Sequence, residues 1–222
     1  MGKDHRCDVV IPTINWRLAE RAVACLREDC AGLIGSIIVI VRDGYSIYHQ
    51  MNQGWRGATA DTVVFLNDDA YLTGKALRRL LDVLWAKQSI GMVGPSMPTG
   101  MFFQAMRTKK AEAWAVPLLS GACMAVKRSA LKKVGGWSED YAMFASDLDL
   151  CFRLADGGYE VVWVRDAWVN HIRSATVQNP IFKEAHDAAN LHDHELLQMR
   201  FPDRLRNSMT HLEAALQAEA EL

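Results

Sequence analysis

The chain contains no C-x-x-C pair, and its cysteines are an odd five: Cys7, Cys25, Cys30, Cys123 and Cys151. That excludes a disulfide framework or a zinc ribbon, and reduced thiols in a cytoplasmic protein are the expectation. No apolar run approaches the roughly 20 residues of a membrane helix, and the longest, LIGSIIVIV, has the length of a strand. The opening MGKDHRCDVV carries no apolar stretch of the signal-peptide kind, and Arg6 stands where an N-myristoylated chain has Ser or Thr. Net charge is nearly absent: 25 Lys+Arg against 26 Asp+Glu leave -1, which excludes coating nucleic acid by overall charge. The first strand is followed by PTINWR and not by G-x-G-x-x-G, which speaks against a dinucleotide-binding oxidoreductase. Apolar residues make up 50% of the 222 positions, ample for one sizeable core.

The first ninety residues alternate strand and helix. CDVVIPT, SIIVIV, DTVVFL and GMVGPSM read as strands with little alternation, and WRLAERAVACLRED and GKALRRLLDVLWAK as amphipathic helices. The stretch between SIIVIV and DTVVFL has no clean period. Buried strands separated by helices predict an α/β fold with a parallel sheet covered on both faces. Farther on, MFFQAMRTKKAEAW reads as a loop or irregular strand. SGACMAVKRSALKKVGGW reads as a strand and short helix stopped by Gly-Gly, DLDLCFRLADGG as a helix, and YEVVWVRDAWVNH as a strand pair or one bent strand. From Pro180 the composition predicts two helices broken near Pro202, packed on the domain as an extension.

Ligands of an open parallel sheet bind at the carboxyl ends of its strands. The polar residues there are Pro12 and Thr13, then Arg42 and Asp43, then Asn67, Asp68 and Asp69. Without a glycine-rich loop, the phosphates of a ligand need another counter-charge. The pair Asp68 and Asp69 offers hard oxygens for Mg²⁺ or Mn²⁺, although two carboxylates there could equally cap the next turn and helix. A second cluster follows: Asp147 and Asp149 open a helix whose dipole favours carboxylates, and Asp149 lies four residues before Arg153, the spacing of an ion pair. Asp147 has no partner of that kind. Ser146 is placed to cap that helix. His171 ends a strand, where by itself a surface or satisfied histidine is a commoner reading than a ligand. His186, His192 and His194 in the tail read as a solvated helix face.

These residues, in order, carry a resemblance. Asn52, Gly54 and Ala58 followed by a strand ending FLNDD, together with LLSGACMAVKRSALKKVGGWSEDYAMFASDLDLCFRLADGGYEVVWVRDAWVNH and the opening VVIPTINW, are similar to the family 2 glycosyltransferases of the rhamnosyltransferase-like kind. The resemblance covers roughly residues 8 to 176. It implies a GT-A fold, with residues 1–176 as the catalytic domain (nucleotide-sugar half 1–97, acceptor half 98–176) and 177–222 as a C-terminal helical extension. It implies that Pro12, Thr13, Asp43, Asn67, Asp68 and Gly121 line the nucleotide-sugar pocket, that Asp69 and His171 hold a divalent metal, and that Asp147 is the catalytic base. Gly121 and Ala122 would lie on the strand under sugar and acceptor. Ser146 and Arg42 replace acidic residues of the family's pattern and bear on acceptor binding and base recognition.

The function so implied is inverting, metal-dependent transfer of a sugar from a nucleotide-diphosphate donor, UDP- or dTDP-linked, to a hydroxyl on a glycan or polysaccharide. Two alternatives stay open: the same chemistry on a hydroxylated base in DNA, and a non-catalytic nucleotide-sugar-binding protein. The basic groups Arg107, Lys109 and Lys110, and Lys127, Arg128, Lys132 and Lys133, could face an anionic acceptor or could be ordinary solvated charge.

Overall fold

The computed structural model describes residues 5–41, 46–98, 102–105, 113–172 and 183–220. In chain order the elements are β1 Cys7–Thr13, α1 Trp16–Asp29, β2 Ile34–Val41, α2 Ile47–Gly57, β3 Thr62–Leu66, β4 Ala70–Leu72, α3 Gly74–Ala86 and β5 Ile90–Ser96. There follow β6 Ala113–Ala115, β7 Cys123–Lys127, α4 Arg128–Val134, α5 Ser146–Asp156, β8 Glu160–His171, α6 Lys183–Arg200 and α7 Arg204–Ala220.

The strands run in the order β2-β1-β3-β7-β5-β8-β4, with β6 beside β8. Parallel pairing joins β1 to β2 and β3, and β5 to β8, while β7, β4 and β6 run the other way. The sheet is therefore mixed with a mostly parallel sense, flanked by helices on both faces. The near-continuous apolar strands follow from this. In β1, Val9 and Ile11 face one core with Ala19, Ala22 and Leu26 of α1 and Leu77, Leu80 and Leu84 of α3. Val10 faces the other core with Tyr48, Met51 and Trp55 of α2 and Phe152 of α5. Successive side chains point to opposite faces, so both must be apolar.

The stretch without a clean period holds a helix, α2. Ser46 caps it, its side chain accepting from the N–H groups of Tyr48 and His49. Gly54 lies so close to β1 that a Cβ there would stand 2.3 Å from Val10 Cγ1. The putting-together of helix and strand, rather than helix propensity, holds this element.

β8 is one bent strand. Its register against β5 jumps between Pro95↔Val164 and Ser96↔Trp168, and beyond the jump it pairs antiparallel with β4, Ala70 opposite His171. Of the loop expected around 98–117, the described parts are a 3-10 turn at Phe102–Ala105 and β6. The tail forms two helices as expected. Leu197 of α6 is buried in the core on the α2 and α5 side, with Phe201, Leu205 and Met209 packed against it. Among the described residues no helix is long and apolar enough to cross a membrane.

Candidate active site

Three chain segments meet at the carboxyl end of the sheet. After β3, the N–H of Asn67 donates to Ala122 O at 2.9 Å and that of Ala70 to Asn67 O at 3.1 Å, so Asn67–Asp69 form a tight turn. The bend in β8 brings its end alongside that turn, where the Ile172 N–H donates to Asp69 O at 2.9 Å. His171 Nε2 consequently stands 3.0 Å from Asp69 Oδ1 and 3.5 Å from Asn67 Nδ2. Asp69 is buried, with 7% of its surface exposed.

Asp68 turns the other way and accepts the hydroxyl of Thr13, whose own oxygen accepts the Asn15 N–H at 2.9 Å. Burial raises the pKa of Asp68, opposed by the Thr13 bond. Neither carboxylate caps α3: Thr73 does so, accepting the Ala76 N–H at 3.3 Å, while Asp29 accepts that of Gly74 at 2.8 Å. The capping alternative for Asp68 and Asp69 is thus overturned. Pro12 lies within β1 opposite Ile40. Asp43, like Arg42, lies outside the described residues.

On the far side, Gly121 and Ala122 form a turn ahead of β7, not the strand itself. The Gly121 N–H donates to Asp147 Oδ2 at 2.8 Å, and the Leu148 N–H donates to Oδ1 at 3.0 Å. A Cβ on Gly121 would lie 3.2 Å from that of Asp147, a tight contact that a larger residue could make only if Asp147 shifted. One two-residue turn therefore links Asn67 on one side to Asp147 on the other.

The helix start is electrostatically favourable for Asp147, yet its carboxyl does not keep an ordinary pKa. Burial pushes it up, and the backbone N–H bonds, Gly121 first, only partly oppose this. Ser146 does not cap α5. The cap position is Ala145, in the left-handed region at φ 60°, and the Ser146 hydroxyl donates instead to Ser138 O at 3.0 Å. Asp149 pairs with Arg153 as its spacing predicts and also accepts Tyr141 Oη at 3.2 Å.

Two sequence motifs prove architectural. Asn52 donates to Trp137 O at 2.9 Å and Glu139 Oε1 at 2.7 Å, and accepts from Trp55 Nε1 and the Trp137 N–H. Gly136, at φ +81°, sits where a Cβ would meet Asn52 Oδ1 at 2.5 Å. The Asn-x-Gly and Gly-Gly-Trp segments thus lock the two halves together. In the basic group at 127–133, Lys127 is buried and donates to the carbonyls of Lys87 and Gln88, and half-buried Arg128 donates to that of Ala58. Lys132 and Lys133 are exposed on α4, Lys133 donating to the carbonyl of Gly157. Arg107, Lys109 and Lys110 lie outside the described residues.

One carboxylate oxygen beside one imidazole nitrogen, both on the rim of the sheet, is a donor set that suits Mn²⁺ or Mg²⁺ when a diphosphate and water complete the shell. No group of three or more His, Cys, Asp or Glu is arranged for a metal among the described residues. Asp69 and His171, the two residues the resemblance implies for a metal, are in contact here.

Comparisons with known proteins bear on the family and the fold. Residues 99–185 match the model of glycosyl transferase family group 2. Over 82 residues the chain is 39% identical to an N-acetylglucosaminyl-diphospho-decaprenol L-rhamnosyltransferase of Mycobacterium tuberculosis, a match spanning 36% of this chain and 27% of that protein. Among solved structures, a Pyrobaculum calidifontis mannosyltransferase in complex with GDP-Man and Mn²⁺ is similar with a TM-score of 0.60 and 22% identity, covering 96% of this chain and 75% of that one. GalNAc-T7 with UDP, GalNAc and Mn²⁺ has a TM-score of 0.61 and 12% identity over 75% of this chain and 44% of that one. The chain thus has the GT-A fold of these structures, and its residues 99–185 are similar to family 2 glycosyltransferases, while it spans about a quarter of the curated relative it matches.

Proposed function

We propose that the chain transfers a sugar, with inversion, from a nucleotide-diphosphate donor to an acceptor hydroxyl, in a metal-dependent reaction. The observation that carries this reading is the meeting of Asp69 and His171, a hundred residues apart in sequence, 3.0 Å from one another. Asp147 lies across the Gly121–Ala122 turn from them. A divalent cation on Asp69 and His171, when bound, supplies positive charge to the diphosphate as it leaves. Thr13 and Asp68 shape the donor side of the pocket, with Pro12 and Asp43 expected at the nucleotide.

Asp147 takes the proton of the acceptor hydroxyl as that oxygen bonds the anomeric carbon. The bond from that carbon to the diphosphate oxygen breaks, and its electron pair leaves with the diphosphate. A base must be ionised to act, and burial holds the Asp147 pKa above the usual carboxylate range. The acidic limb of the transfer profile should therefore lie above that of an ordinary aspartate.

A glycan or polysaccharide hydroxyl is the acceptor this reading favours. The DNA alternative draws less from the 127–133 group, since Lys127 and Arg128 are turned to backbone carbonyls. The test is a panel of nucleotide sugars, UDP- and dTDP-linked first, scored by thermal shift with Mn²⁺ and with chelator. A donor at 100 times its Kd adds about 2.7 kcal/mol of stability. Asp69→Ala and His171→Ala should each abolish the manganese-dependent part of that shift. A shift that survives both substitutions and chelator would make the pair structural, and no shift with any donor would remove the reading.

A further inference from the structure

The family match ends at residue 185, yet α6, beyond it, reaches back beside the candidate base. Asp193 is fully buried and accepts three successive backbone N–H groups: Ala142 on Oδ1 at 2.9 Å, and Met143 and Phe144 on Oδ2 at 2.8 and 2.7 Å. Burial pushes its pKa up, but these three bonds, together with a contact from His192 Nδ1 to Oδ1 at 2.9 Å, outweigh burial and hold the carboxyl below its usual range. From the other side, the hydroxyl of Tyr48 donates to Met143 O at 2.7 Å. The clamped segment runs directly into Ala145, whose φ of 60° is the one positive value of a non-glycine residue among those described. L-residues adopt that state rarely, and only where the surroundings enforce it. Ala145 is the cap of α5, and Asp147 follows two residues later. His194, next to Asp193 on α6, lies within electrostatic reach of Asp147.

We propose that Asp193 is a positioning residue for the transfer. Its carboxylate fixes 142–144, which holds Ala145 left-handed and sets the Asp147 carboxylate against the Gly121 N–H. The inference rests on the reading of Asp147 as the base. A misplacement of the order of 1 Å in such a group costs about 10²-fold in rate.

Amide hydrogen exchange and steady-state transfer on the full chain, for Asp193→Ala and Asp193→Asn, test it together. In Asp193→Ala the Gly121 amide and those of 142–144 should exchange at least about tenfold faster, with β1 and β3 unchanged, since the opening is local. The kcat should fall about 10- to 100-fold while donor KM and donor-binding stoichiometry, and so the folded fraction, hold. Asp193→Asn keeps one acceptor oxygen and should fall in between; should the alanine variant not fold, the asparagine variant decides on the same readouts. An unchanged Gly121 amide, or kcat within about twofold of wild type once 142–144 are released, overturns the proposal. A wild type that transfers no sugar from any donor defeats the proposed function instead, and the Gly121 amide still decides whether Asp193 positions Asp147.

Discussion

Asp147 and Asp149 share the first turn of α5 and end in opposite surroundings. Asp149, 1% exposed, accepts from Arg153, from Tyr141 Oη and, at 3.4 Å, from Arg200 of α6. Asp147 accepts from backbone N–H groups, those of Gly121 and Leu148, at the mouth of the sheet. Two residues of helix turn a side chain by about 200°, so one carboxylate faces the core and the cations that neutralise it while the other faces the Gly121 turn. A carboxylate neutralised by arginine is fixed as architecture. One held by neutral backbone donors keeps a lone pair for a proton.

Paired substitutions should break that symmetry cleanly. The largest effect is expected from Asp147→Asn, which keeps an acceptor for the Gly121 N–H but cannot take a proton. Transfer should fall about 10²–10⁴-fold, with donor binding and the melting curve essentially kept. Transfer near the wild-type rate would move the base elsewhere. Next in size is Asp149→Asn, which leaves Arg153 and Arg200 facing a neutral amide. Unfolding in denaturant should show a loss of roughly 2–4 kcal/mol, with kcat per folded molecule little changed. A variant as stable as wild type but slow in transfer would exchange the roles of the two residues.

The same contrast governs how much was legible in the sequence. The sheet was, because strands buried on both faces must read as continuous apolar runs, as Val63, Val64, Phe65 and Leu66 do. So was the Asp149–Arg153 pair, whose spacing is its signal. The helix α2 was not: Gly54 and Gly57 weaken its pattern, and the close packing that compensates lies on another element, at Val10. Asp193 was not either, since its partners are backbone N–H groups, present at nearly every residue and marked by no side chain. Carbonyl acceptors are equally silent, which is why nothing in the sequence marks Lys127 of the basic group as buried. Asp69 and His171 were found through the order of motifs, but their meeting depends on a register jump in β8 that no local pattern announces.

Motifs can also mislead about which chemistry they serve. Asn52 and Gly54 belong to the motifs that carry the family resemblance, but Asn52 bonds Trp137 and Glu139 across the two halves and Gly54 packs on Val10 of β1. Gly54→Ala drives a methyl into Val10 and should lower stability by about 1–3 kcal/mol through overpacking. Donor Kd, measured on the folded fraction, should stay within about twofold. A selective loss of donor affinity at unchanged stability would return that motif to the binding site.

The smallest effect sets Asp147 against the buried carboxylate that clamps its loop. Burial raises the folded pKa of Asp147, so between the unfolded value and that raised value the folded state binds more protons. Stability falls as pH rises through this window. For Asp193 the balance is reversed. Its folded pKa is lowered, and its stabilising contribution, complete above the unfolded value, is lost as pH falls through the folded one. Removing the charge with asparagine should therefore shift the melting temperature in opposite senses. Asp147→Asn should gain relative to wild type on going from pH 3 to pH 7, whereas Asp193→Asn should fall behind over the same range. Melting curves at five or six pH values decide it. Parallel curves for the two variants would mean that the carboxylates share one environment, and that the clamp and the candidate base are not electrostatically distinct.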